Sequence, residues 1–218
     1  SPNEATRYIA WHSLNKMGKK AEISLLELFS HENPVFRARA LWLLGKIDGE
    51  GQKYVNLATK DKDFNMRIVA IRLARQLESV ECIDTVAKLC ADPEPFVRRE
   101  CALALRHLKT EDAAKIWAEL AIRHDGKDRW YLEALGISSD LNADACFAAW
   151  LKKVGDAWDS PSGRDIVWRI RAKNAPHYLV KILKNEKTPV DSHPRYVRAI
   201  DFHSGAEKEK ALEELLDI

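Results

Sequence analysis

Residues 65–77 read NMRIVAIRLARQL, and VFRARALWLLGKI (35–47) and FVRRECALALRHL (96–108) repeat the same pattern. Counted from the residue before the first arginine of each copy, apolar or small residues stand at offsets 0, +4, +7, +8 and +11. These offsets lie on one face of an α-helix, because 3.6 residues make one turn. The pattern therefore predicts three amphipathic helices that pack through equivalent faces.

The arginine of this pattern recurs at a nearly constant interval along the chain. It stands at Arg7, Arg37, Arg67, Arg98 and Arg129, so the intervals are 30, 30, 31 and 31 residues. Asp61 and Asp92 each precede the next arginine by six residues, and His31 takes that place before Arg37. Because an arginine stem covers apolar surface while its guanidinium reaches a carboxylate, we interpret these residues as a structural ladder between repeats.

A second series of apolar segments alternates with these helices, at 22–29, 52–59, 82–89, 113–122, 143–154, 176–183 and 207–216. A pair of such helices buries too little surface to be stable alone and must pack against the next pair. The sequence thus predicts an all-α fold, a right-handed α-solenoid of about seven helix pairs. We expect one domain over residues 1–218, with regular repeats at 1–123 and divergent repeats and a C-terminal cap at 124–218.

The turn before the third copy carries a family resemblance. DPEPFVR (92–98) resembles the turn and Val-Arg pair that open a helix in HEAT repeats, and the short period is similar to the HEAT-like repeats of phycobilisome lyases. The signatures of tetratricopeptide and ankyrin repeats do not occur. The resemblance implies a superhelix of the armadillo type.

The C-terminal half carries a more specific resemblance. Its distinctive segments are DRWYLEALG (128–136), FAAWLKKVGDAW (147–158), SPSGRDIVWRIRA (160–172) and RYVRAIDFHSGAEKEKAL (195–212). They are similar to the HEAT-like region of bacterial membrane-bound dehydrogenases that bind haem through CxxCH. In that family a β-propeller precedes the helical region and a c-type cytochrome follows it. The resemblance implies that this chain is the helical middle of an exported or periplasmic protein whose haem c belongs to a separate domain.

Composition and motifs argue against several classes of function. Lys and Arg number 35 against 33 Asp and Glu, a net charge of +2, whereas nucleic-acid binders usually show a basic excess. No apolar run approaches the roughly 20 residues that a membrane span needs. CxxCH, GxSxG, P-loop and GxGxxG motifs do not occur, and no histidine spacing suits a metal. We therefore predict a non-catalytic chain without a metal or cofactor of its own.

Polar and aromatic residues that packing does not require are concentrated in the divergent repeats. The candidate binding surface consists of Trp130, Tyr131, Trp158, Asp159, Arg164, Asp165, Trp168 and Arg169. Adjacent residues cannot both be buried on one helix face, so one of the first two is expected to be exposed. SPSGRD (160–165) also predicts a helix start, with Ser162 and Asp165 in the spacing of a capping box.

These features leave three functions open. The leading interpretation is a scaffold that binds its neighbouring domains or another polypeptide. The first alternative is nucleic-acid binding along a basic stripe of Arg72, Arg75, Arg99, Arg106 and Lys109, which the near-neutral charge disfavours. The second is a carbohydrate or small-ligand pocket in which the four aromatic residues of the candidate surface combine with Asp159, Arg164 and Arg169.

Overall fold

The computed structural model describes residues 2–77 and 81–216. The regular structure of these residues is α-helix with short 3₁₀ turns and no strand, which confirms the all-α prediction. The chain divides into two compact units, Ser1–Ala104 and Leu105–Ile218. The single solenoid over residues 1–218 stays a prediction.

The first unit contains the regular repeats. Its helices are Glu4–Met17 (α1), Glu22–Phe29 (α2), Pro34–Leu44 (α3), Gly51–Ala58 (α4), Phe64–Gln76 (α5), Cys82–Leu89 (α6) and Pro95–Ala104 (α7). The odd-numbered helices stack in chain order, and α2, α4 and α6 pack beside them as the second members of helix pairs. This neighbour-to-neighbour packing is that of a HEAT-like solenoid.

Side-chain caps fix where the odd-numbered helices begin. The Asn33 side-chain oxygen accepts a hydrogen bond from the Val35 N–H at 2.9 Å, and the Asp63 carboxylate accepts one from the Asn65 N–H at 2.9 Å. Each bond satisfies a backbone donor that has no partner within the helix. Pro34 and Pro95 occupy the first helical position, where the missing N–H costs nothing.

The predicted helix faces form the core of this unit. The small residues at offset +4, Ala40, Ala70 and Cys101, are fully buried, which allows the stacked helices to approach closely. Helix α1 matches the pattern least well and contributes no buried residue. Phe36 is the one departure among the three main copies at offset 0, because it is 37% exposed while Met66 and Val97 are buried.

The second unit contains the divergent repeats. Its helices are Glu111–Ala121 (α8), Arg129–Ser139 (α9), Ala143–Val154 (α10), Pro161–Arg169 (α11), Ala175–Lys184 (α12), His193–Ile200 (α13) and Ala206–Leu215 (α14). Helices α9, α11 and α13 stack in order, α8 packs on α10, and α12 packs on α14. The core includes Trp117 and Trp150, and the Trp117 indole N–H donates to the Leu135 carbonyl at 2.9 Å.

Helix α11 starts within the predicted segment but with a different cap. The Ser160 hydroxyl accepts from the Gly163 N–H at 3.2 Å, and Pro161 follows as the first helical residue. The expected capping box of Ser162 and Asp165 is wrong, because Ser160 is the cap and the Asp165 carboxylate pairs with Arg195 of α13 and with His124 in the loop after α8. Gly163 lies so close to the preceding 3₁₀ turn that a Cβ atom there would overlap the Trp158 carbonyl.

In the part of the chain that the structure describes, residues 2–77 and 81–216, no helix combines the length and the apolar composition needed to cross a bilayer.

Candidate functional site

Two rungs of the predicted ladder are ion pairs between successive repeats. Arg67 donates to both carboxylate oxygens of Asp92, at 2.7 and 2.9 Å, and Arg37 pairs with Asp61 in the same sense. The arginine side chains are only 13 and 15% exposed. Each pair joins the first turn of one helix to the turn that precedes the next odd-numbered helix.

The acceptor of each rung is itself fixed by its own turn. Asp61 accepts from the N–H of Asp63 and Asp92 from that of Glu94, both at 2.9 Å. Such a bond between a side chain and the backbone two residues on is a common aspartate turn. His31, which departs from the pattern in sequence, makes the same bond, since its Nδ1 accepts from the Asn33 N–H at 2.9 Å.

The other three predicted ladder arginines have different surroundings. Arg98 donates to the carbonyls of Asp92 and Pro93, at 2.7 and 2.9 Å, so it closes its own turn as Arg67 does toward Asp61. Arg7 donates to the Pro2 carbonyl at 2.7 Å. Arg129 is not a rung: it is the first residue of α9, whereas the other arginines are the fourth residue of their helices.

Arg164, a predicted member of the binding surface, is instead a ladder arginine. It is the fourth residue of α11, its side chain is 12% exposed, and it donates to the Asp159 carboxylate at 2.7 Å and to the Thr188 hydroxyl at 2.8 Å. Asp159 in turn accepts from the Asn185 amide at 2.8 Å. Arg164 and Asp159 therefore form a structural contact between repeats, which corrects their predicted role as ligand contacts.

The two adjacent aromatic residues of α9 separate as expected. Trp130 is 71% exposed, whereas Tyr131 is 3% exposed and donates its hydroxyl to the Leu120 carbonyl at 2.9 Å. Tyr131 is thus a core residue and leaves the candidate surface. Trp130 is its most exposed member.

Three residues of the candidate surface belong to a group that we call the Trp168 cluster, formed by Arg129, Glu133, Asp165, Trp168, Arg169 and Arg195. The guanidinium carbons of Arg195 and Arg129 lie 4.4 and 5.4 Å from the Trp168 ring centre, within the range of cation–π attraction. The cluster connects α9, α11 and α13, because each helix supplies at least one of its members.

Carboxylates hold the cations of the Trp168 cluster in place. Glu133 accepts from Arg129 at 2.7 Å and from Arg169 at 2.8 Å. Asp165 accepts from Arg195 at 2.6 Å and lies 3.1 Å from Nε2 of the buried His124. The carboxylates of Glu133 and Asp165 are therefore both paired with arginines of the protein itself.

The pKa values of both carboxyl groups reflect this pairing. Burial raises the pKa of Asp165, but the hydrogen bonds to His124 and Arg195 outweigh it and leave the pKa below its ordinary value. Burial likewise raises the pKa of Glu133, and the bonds from Arg169 and Arg129 again bring it below the ordinary value. Both groups are therefore ionised at neutral pH.

The expected aromatic pocket for a carbohydrate is not assembled in this arrangement. Trp158 packs edge-on against Tyr178 at 4.9 Å, while Trp168 packs against Arg195 and Tyr131 is buried. Sugar-binding sites need aromatic faces and polar groups that converge on one cavity. The predicted residues instead pack against different neighbours within the second unit.

The expected basic stripe is partly neutralised. Arg72 and Arg75 lie 2.8 and 3.7 Å from the carboxylate of Glu100, and Arg99 lies over the Phe96 ring at 5.1 Å. Arg106 and Lys109 are exposed but belong to the second unit. Among residues 2–77 and 81–216, no group of three or more His, Cys, Asp or Glu side chains could hold a metal ion.

Sequence reasoning did not identify three residues that pair with the candidate surface, namely His124, Glu133 and Arg195. A usable signal existed for one of them, because Arg195 stands 30 residues after Asp165, which is one repeat period. No sequence motif marks His124 or Glu133. Their partners Asp165 and Arg169 lie in α11, 41 and 36 residues further along the chain, although Glu133 also pairs with Arg129 of its own helix.

Comparison with known proteins identifies the repeat. The family described as HEAT repeats matches residues 51–136, from the start of α4 into α9, a stretch that includes the Arg67–Asp92 rung. This match confirms a HEAT-like repeat region in the chain. A comparison with curated proteins finds no significant match. HEAT repeats generally mediate protein interactions and are consistent with a scaffold.

Proposed function

We propose that the chain is a non-catalytic protein-interaction module whose contact surface includes Trp130 and the exposed side of the Trp168 cluster. The observation that carries this proposal is the 71% exposure of Trp130 next to a set of arginines that are already held in position. Tryptophan and arginine are enriched among the few residues that contribute most of the binding energy at protein interfaces.

The surroundings of Trp130 favour a protein over the two other ligand classes. Nucleic acid requires unpaired positive charge along the surface, and here Glu133 and Asp165 neutralise much of the charge of the arginines. A sugar requires a cavity, and Trp130 stands out into solvent. A protein surface can bury an exposed ring and keep the salt bridges of the Trp168 cluster at its rim.

We further propose that this module is the helical middle of a larger membrane-bound dehydrogenase with a c-type cytochrome. The resemblance of residues 128–136 and 160–172 to that family supports this assignment. In that setting the protein is exported or periplasmic, and haem c is bound by the separate cytochrome domain. The natural partners are then the neighbouring propeller and cytochrome domains, or another polypeptide of the same complex.

The full-length reading frame and binding measurements test the proposal. If a propeller and a CxxCH domain flank this segment, each can be purified and titrated against the chain by calorimetry. We expect Trp130→Ala to weaken binding at least about tenfold with an unchanged melting temperature. Tyr8→Ala is a matched control, since Tyr8 is 65% exposed but lies in the first unit. Absence of binding to either domain, or turnover of a substrate by this chain alone, would contradict the proposal.

A further inference from the structure

The first unit contains an open pocket between α3, α5 and α7 that the proposed function does not use. It has a volume of about 310 Å³ and is lined by Trp42, Arg72, Arg75, Gln76 and Glu100. We call it the α5 pocket, because α5 supplies three of these residues. It lies apart from Trp130 in the chain and belongs to a different unit, so its function can be tested separately.

A buried carboxylate holds two arginines at this pocket. The Glu100 side chain is 8% exposed, and its two oxygens lie 2.8 Å from an Nη atom of Arg72 and 3.7 Å from an Nη atom of Arg75. The arginine side chains remain 55 and 38% exposed. A guanidinium has five N–H donors, more than these contacts with Glu100 use, so donors are left for a ligand. Because Glu100 restrains both side chains, a ligand would lose less entropy in ordering them.

The charge and shape of the pocket select a class of ligand. Two guanidinium groups and one carboxylate leave a net charge of about +1, which one negative charge on a ligand balances. A phosphate dianion would place its second negative charge close to Glu100. The planar fork of a guanidinium suits a carboxylate, and the Trp42 indole adds an apolar wall. The Gln76 amide supplies a further neutral donor and acceptor.

We propose that the α5 pocket binds a monocarboxylate with an apolar body, either free or at a polypeptide C-terminus. Arg72 and Arg75 hold the carboxylate, and Trp42 contacts the apolar body. Glu100 positions both guanidinium groups through its two carboxylate oxygens. If Glu100 and the two arginines only tie α5 to α7, both guanidinium groups stay engaged with Glu100 and no carboxylate shifts their signals.

The test is a titration of the intact chain followed by ¹H–¹⁵N spectra of the Trp42 indole and the Arg72 and Arg75 Nε–H groups. The probes are N-acetylphenylalanine, benzoate, the neutral N-acetylphenylalanine amide and phenyl phosphate, which is mainly a dianion above neutral pH. We expect the two carboxylates to shift these signals with a Kd of about 1 mM and the amide to leave them unchanged at 20-fold higher concentration. Tighter binding of N-acetylphenylalanine than of benzoate indicates a polypeptide terminus, and equal binding indicates a free carboxylate.

Variants separate recognition from folding. Arg75→Gln should weaken carboxylate binding about tenfold, whereas Arg99→Gln, the same change outside the pocket, should have no effect. Glu100→Gln should strengthen binding about fivefold, because the amide oxygen of glutamine still accepts from Arg72 and keeps it in place while the competing negative charge is removed. Equal shifts with the amide, binding of phenyl phosphate as tight as that of the carboxylates, or no shift with either carboxylate would overturn the proposal.

Discussion

The arginine at the fourth position of a helix makes the same kind of contact in both units. The fourth residue of α3, α5 and α11 is an arginine that reaches the turn before the next odd-numbered helix. The sequence predicts Arg37 and Arg67 because their intervals are regular. It misassigns Arg129 and Arg164, because a ladder arginine is defined by its place in the helix. Helix α9 begins at Arg129 itself, whereas α11 begins three residues before Arg164. Spacing between arginines alone does not contain that information.

Truncation of a true rung should therefore cost far more than truncation of its sequence equivalent. We expect Arg67→Ala to lower the free energy of unfolding by about 2–3 kcal/mol, because it leaves the buried Asp92 carboxylate without its partner. Arg129→Ala should cost less than about 0.5 kcal/mol, since Arg129 is 67% exposed. Urea unfolding of both variants measures the difference, and equal losses would show that the ladder is misassigned.

A single histidine should make stability depend on acidity. Burial, then the positive charges of Arg171 and Lys208, lower the pKa of His203 to about 4, against about 6.5 in an unfolded chain. Between these values the unfolded chain binds more protons, so this stability is complete above pH 6.5 and is lost as pH falls toward 4.

The histidine contribution can be isolated by substitution. After allowance for solvent screening, the wild type should lose about 1 kcal/mol more than His203→Gln between pH 7 and pH 5. Unfolding curves at the two pH values measure this loss. His177→Gln serves as the control, because His177 is exposed. A wild type and a His203→Gln variant with the same pH dependence would contradict the assignment.

At the scale of elements, the sequence predicts well which helices exist and less evenly where each helix begins and ends. The segments 22–29, 82–89 and 143–154 coincide with α2, α6 and α10, because their apolar periodicity is strong and their ends are marked by polar residues. The sequence also predicts that α11 begins within SPSGRD (160–165), but it does not reveal the close contact between Gly163 and the preceding turn.

Gly163→Ala should test that contact. Alanine favours a helix by about 1 kcal/mol over glycine, but a Cβ here would overlap backbone atoms of Trp158, which cannot move aside as a side chain can. We expect a net loss of about 2 kcal/mol in calorimetry. Ser162→Ala, one residue earlier, should change stability by less than about 0.5 kcal/mol. A Gly163→Ala protein as stable as the wild type would show that the turn can shift.

At the scale of the molecule, the candidate surface was the least predictable part. Some charged residues of the second unit pair one repeat away, as Asp165 does with Arg195 and Glu133 with Arg169, and no local window of sequence shows these pairs. Of the predicted surface, Tyr131, Asp159 and Arg164 are structural. Trp130 could be identified as one of two candidates only because its neighbour had to be buried.

Repeat proteins of this kind should respond to damage locally. Because each repeat contacts mainly its neighbours, Arg67→Ala should reduce hydrogen-exchange protection most in α5 and α7 and progressively less along the chain. Hydrogen-exchange mass spectrometry of wild type and variant measures this gradient. Uniform loss of protection from α1 to α14 would instead indicate one cooperative folding unit.

The rungs also give the repeat a direction. In every rung the arginine comes first and its acceptor follows 24 or 25 residues later, from Arg37 to Asp61, Arg67 to Asp92 and Arg164 to Thr188. Each repeat thus has a donor side and an acceptor side that are chemically different. Copies of such a unit joined in tandem place the arginine of one repeat beside the acceptor of the next. The ladder therefore has a fixed direction along the chain, and tandem duplication of repeats preserves that direction.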